Sequence, residues 1–93
     1  MKGKNTIIWC LRQALQYEST LKDSQFQYYN GTGNNLFFAI IEKRNQMLNC
    51  AIDAANDFYH TDIPHLRWHQ IKAAQIYHVL KNLILKSEEE MAI

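Results

Sequence analysis

The longest stretch without a helix breaker runs from Asn34 to Ile63 and meets the only proline, Pro64. Within it Phe37, Ile41, Leu48, Ala51, Ala55 and Phe58 recur at helical spacing, which predicts one helix over residues 35–59. Asn34 and Asn35 follow Gly33, and an asparagine side chain accepts hydrogen bonds from the free N–H groups of a first turn, so they mark its start. Pro64 marks its end, because it biases Ile63 away from helical dihedrals and itself fits the first turn of a following helix. That next helix is expected over residues 64–87, with Leu66, Ala73, Tyr77, Leu80 and Ile84 on its stripe and Ile76, Val79 and Leu83 beside it. A connection of a few residues makes the two antiparallel neighbours. Ala51, Ala54, Ala55, Ala73 and Ala74 near the closed end would let their backbones approach.

Ahead of this hairpin, Ile7, Leu11, Ala14, Glu18, Leu21, Gln25 and Tyr28 form the stripe of a helix over residues 6–29, capped by Asn5 or Thr6 and stopped by Asn30-Gly31. An alternative ends this helix at Asp23 and pairs residues 25–29 with 36–40 as strands, since Phe26, Tyr28, Tyr29, Phe37 and Phe38 suit a sheet. Continuity of the Phe37 stripe and the matched lengths favour three helices. The expected fold is therefore one all-α domain over residues 1–93, an antiparallel up-down-up three-helix bundle with helices about 36 Å long. Glu88, Glu89 and Glu90 stand where a helix dipole disfavours anions, so the tail 88–93 is expected to fray.

The 93 residues are 47% hydrophobic and 20% charged with a formal net charge of +1, an ordinary globular composition. The ten Lys and Arg residues are scattered and form no basic stripe, which argues against nucleic acid as a partner. No apolar run approaches the ~18 residues of a membrane span. No export signal is visible, so Cys10 and Cys50 are expected to be reduced thiols in a cytoplasmic protein.

Two charged residues fall on apolar stripes, Glu18 in the first helix and Arg44 in the second. Counted outward from the turn between them they lie at nearly equal distances, so an ion pair across the interface is expected, with Tyr77 arriving at the same level. Such a pair sets helix register at some cost in desolvation. The sharper reading makes Arg44 and Tyr77 the receptor for an anionic small molecule.

All four histidines lie in the second half, and His65 and His69 stand four residues apart, the spacing by which one helix offers two metal ligands. With Asp57 and His60 they would form a mixed nitrogen and oxygen corner able to hold zinc or a similar ion; the simpler reading is solvated surface. Chemistry beyond this is sparse. Gly31 and Gly33 lack the Lys-Ser/Thr of a phosphate loop, and neither cysteine has an obvious histidine partner. No enzymatic activity and no cofactor is expected.

Trp9, Phe38, Ile40, Ile52, Ile76, Val79, Leu83 and Leu85 exceed what the core stripes need. The surplus points to a contact surface, either a homodimer face or a groove for a foreign protein, with Trp9, Tyr28, Tyr29 and Trp68 as aromatic anchors beside Ile76, Val79 and Leu83. In size, Asn and Gln content and lack of catalytic motifs the chain resembles small accessory proteins of bacteriophages and mobile elements, many of which bind and block a host protein. That resemblance implies a non-enzymatic regulatory or inhibitory protein acting by protein–protein binding.

Overall fold

The computed structural model describes residues 3–30, 34–66 and 73–92. They form four helices, α1 Lys4–Lys22, α2 Ser24–Asn30, α3 Asn35–Tyr59 and α4 Ala73–Ala92, and no strand occurs among them.

The first expected helix is two. Asp23 adopts extended dihedrals (φ −69°, ψ 127°), and its carboxylate accepts from the Phe26 N–H at 2.9 Å while its carbonyl accepts from the Gln27 N–H at 3.0 Å. Asp23 is thus the N-cap of α2. Gln27 Nε2 donates to the Leu21 carbonyl at 2.8 Å, satisfying an acceptor left over at the end of α1. Residues 25–29 are therefore helical, not a hairpin strand. Phe26 stacks on Phe37 with centroids 6.4 Å apart, tying α2 to α3. At the other end of α1 the cap is Gly3, with no side-chain bond, in place of Asn5 or Thr6.

α3 has the expected limits. Asn34 Oδ1 accepts from the Phe37 N–H at 2.8 Å. The stop is not Pro64 but His60, the residue after Tyr59, which takes the left-handed conformation (φ 57°, ψ 42°) in which helices commonly terminate.

Contacts between α1 and α3 pair falling numbers with rising ones. Glu18 bonds Arg44, Ala14 clusters with Leu48, Ile7 and Cys10 cluster with Ala51, Ile52, Ala54 and Ala55, and a Cβ on Gly3 would stand 4.0 Å from the Phe58 ring. The two helices are antiparallel, and small residues line their contact. Ala51, Ala54 and Ala55 thus serve the α1 interface; Ala74 is exposed.

The expected helix over residues 64–87 and its hairpin with α3 are not what forms. Residues 60–66 are non-helical and run back along α3. Asn56 Oδ1 accepts from the Ile63 N–H (2.9 Å) and the Thr61 hydroxyl (2.8 Å), while its Nδ2 donates to the Ile63 carbonyl (3.0 Å). Asn49 treats Leu66 the same way, accepting from its N–H (2.8 Å) and donating to its carbonyl (3.2 Å). The spacing is commensurate. Seven helical residues rise about 10.5 Å at 1.5 Å each, and three extended residues span about 10 Å.

This return run carries the chain back to mid-α3 before α4 begins. Ala73 and Tyr77 accordingly pack with Ala14, Leu48 and Leu66, whereas Leu80, Leu83 and Ile84 pack with Ile7, Cys10 and the alanines near the end of α3. α4 therefore runs parallel to α3 and antiparallel to α1. It also continues through Glu88–Glu90 to Ala92, because an unfavourable dipole contact of roughly 0.3–1 kcal/mol does not outweigh the backbone bonds of a formed helix.

The two asparagines make a testable pair. Asn56→Ala strands the Ile63 N–H and carbonyl and should cost about 2 kcal/mol in urea unfolding. Asn56→Asp keeps the acceptor and should recover roughly half of that. A loss below about 0.5 kcal/mol for the alanine would mean that packing of Ile63 and Leu66 alone holds the run.

Candidate functional site

The polar residues expected at mid-bundle do meet. Arg44 Nη1 donates to Glu18 Oε2 at 2.8 Å, and the two side chains are 14% and 20% exposed. The remaining bonds of Arg44 go to its neighbour, Nε and Nη2 donating to Asn45 Oδ1 at 3.2 and 3.0 Å. Asn45 is the one buried polar residue of the described core, 6% exposed, and its Nδ2 has no partner among the described residues. An incoming anion would have to displace Glu18 from a guanidinium already engaged on both edges.

Tyr77 stands at the same level, as α4's parallel course dictates. Its hydroxyl is buried without a partner among the described residues. Burial first, and the Glu18 carboxylate second, push the phenol up to about 12, with Arg44 opposing. Beside this layer an open pocket of about 320 Å³ is lined, among the described residues, by Glu42, Asn45, Gln46, Asn49 and Leu66. Its rim of carboxylate and amides was invisible to apolar periodicity, which passes over a buried asparagine.

The histidine corner is rearranged. His65 Nε2 meets Asp53 Oδ1 at 2.5 Å, both side chains half-exposed, so its carboxylate partner sits one turn before Asp57. Asp57 and His60 are exposed. Among the described residues no group of three His, Cys, Asp or Glu side chains is placed to hold a metal; His69 lies outside them. His78 meets Asn82 one turn along α4, with 3.2 Å between Nε2 and Nδ2. Both cysteines are free, Cys10 buried and Cys50 exposed. Burial, and secondarily Cys50, raise the Cys10 thiol above its usual range, which makes it a poor nucleophile.

The anchor residues divide. Trp9 is 57% exposed on the side of α1 away from the core, and Tyr28 on α2 is 83% exposed. Val79 is exposed, but Ile76 and Leu83 pack against the core clusters, as does the fully buried Ile52. Trp68 and the side chain of Tyr29 lie outside the described residues. Sequence reading missed Leu36 and Phe58, 48% and 45% exposed on α3. No helix among the described residues is long and apolar enough to cross a membrane. No known protein family matches the chain, and no curated protein or solved structure is significantly similar to it.

Two substitutions test the polar layer. Arg44→Ala leaves Glu18 half-desolvated and Asn45 Oδ1 unpaired, and should cost about 2 kcal/mol, less than a fully buried pair because water reaches both groups. A change within about 0.5 kcal/mol would show the layer to be inert. Tyr77→Phe should be at least as stable as the parent at pH 7, since it removes a buried hydroxyl that has no partner among the described residues. Because the folded phenol titrates near 12 and the unfolded one near 10.0, the Tyr77 contribution is present below pH 10 and lost as pH rises through 12. Thermal melts across that window should fall more steeply for the parent than for Tyr77→Phe; parallel curves would contradict the burial of this phenol.

Proposed function

We propose that this chain is a small non-enzymatic binding protein that works through protein–protein contact, first of all with itself. The observation that supports the reading is its surface. The accessible area is 6709 Å² for a mass of 11.0 kDa, whereas a compact monomer of that mass exposes about 5600 Å². The excess of about 1100 Å² exceeds the ~800 Å² that one partner contributes to a standard interface.

The shape accounts for it. The molecule extends 50 × 23 × 22 Å, a rod whose sides carry Trp9, Leu15, Leu36, Phe58, Val79 and Leu85 as exposed large apolar side chains. Spread along two long helices and α4, they give a binding surface along the rod rather than a pocket for a small molecule. On this reading its role is regulatory or inhibitory, exerted by occupying a partner's surface.

The test is native mass spectrometry alongside sedimentation over a range of concentrations. A species near 22 kDa, twice 11.0 kDa, or a stoichiometric complex with a co-purifying protein is expected. A bare monomer at millimolar concentration, with nothing co-purifying, would overturn the reading.

A further inference from the structure

We infer that a second copy of this chain docks on the outer face of α3, in an antiparallel two-fold arrangement with Cys50 at the axis and Lys43 opposite Asp57 of the other copy. The inference rests on the self-association reading and deepens it by naming the face and register.

Leu36, Lys43, Cys50 and Asp57 are spaced seven residues apart. At 100° per residue that spacing keeps them within about 60° of one another. The row lies about 200° from Leu48, the fully buried core residue of this helix, and all four side chains are exposed. Ile40 and Met47 flank it on the side facing α1, giving from Leu36 to Cys50 the alternating four and three spacing with which helices pack side by side; the next place in that pattern, Ala54, is buried in the core. The return run is bonded to Asn49 and Asn56, and α4 packs through the core clusters, so neither covers this row.

What selects a second copy is the placement of charge. Lys43 and Asp57 stand seven residues before and after Cys50, about 10.5 Å along the helix in each direction. Neither has an ion-pair partner among the described residues. A two-fold axis through Cys50 brings each lysine against the other copy's aspartate, making two identical pairs, and places the uncharged thiols at the centre. This is the self-complementarity that an isologous interface requires. A foreign helix would need the same charges in the same register; the chain supplies them itself.

The experiment uses the full chain. Lys43→Glu and Asp57→Lys each set like charges against one another twice, and each should weaken self-association about tenfold in sedimentation, the effect of roughly 1.4 kcal/mol. Mixed in equal amounts, the two variants should recover parental affinity as a heterodimer, because every pair is then complementary. A short bismaleimide should cross-link the parent into a dimer through Cys50, and Cys50→Ser should abolish this while Cys10→Ser does not. Both charged positions are exposed and without an ion-pair partner among the described residues, so circular-dichroism melts should match the parent and separate misfolding from lost affinity. If the parent dimerises but both variants dimerise equally well and Cys50 does not cross-link, this face is wrong while self-association stands. If the parent is monomeric throughout, both readings fall.

Discussion

The side-chain amides of Asn49 and Asn56 do the work of a second β-strand. An extended segment lying on a helix has no backbone partner, because the helix spends its own N–H and carbonyl groups internally. The backbone groups of Ile63 and Leu66, the inward-facing residues of the run, would then lie part-buried without compensation. Each asparagine offers one acceptor and one donor to the same backbone residue, Ile63 or Leu66, as a neighbouring strand would. Seven residues of helix and three of extended chain have nearly the same rise, so both clamps close without strain.

The direction of α4 follows from that clamp. A chain that turned at Pro64 and rose again as helix would lie antiparallel to α3. Having already returned to the level of Asn49 in extended form, the chain has room from Ala73 onward to advance along α3 in the same direction, and it does. This sets Tyr77 beside Glu18 and Arg44, places Leu80 on the alanines of α3, and seats α4 on the side of the α1–α3 pair that carries Leu11 and Leu66. Among the described residues nothing then covers the outer row of α3.

Much of this was legible beforehand. The limits of α3, its Asn34 cap, the all-helical class and the Glu18–Arg44 meeting all follow from periodicity and from counting outward from a turn. What failed was punctuation. Asp23 sits inside an unbroken apolar stripe, and only its capping chemistry shows that the helix restarts there. The short gap between Tyr59 and Pro64 resembled a tight turn because nothing in apolar spacing distinguishes a clamping asparagine from a solvated one. Asn49, Asp53 and Asn56 share one face of α3, which reads as a solvated face until the extended segment is seen to lie on it. The candidate site was less legible. Buried Asn45 carries no apolar signature, and the exposed row on α3 emerges only once α1, α4 and the return run are placed around the helix.

The polar layer and the open face are two ends of one constraint. Alanine contacts between α1 and α3 are small and smooth, and small residues alone would tolerate a slide of one helix past the other by a turn. A guanidinium bonded to Glu18 across the interface does not tolerate that slide, since a shift of about 5.4 Å would part Arg44 from Glu18 while Asn45, on the same helix, moved with it. The layer therefore fixes which residues of α3 face α1, and by exclusion which face outward. Rotating α3 by one residue would turn Cys50 and Lys43 toward the flanks and bring Asn49 and Asp53 into the outer row in their place. The interior ion pair, which stabilises little on its own account, in this way helps to determine which residues of α3 face outward.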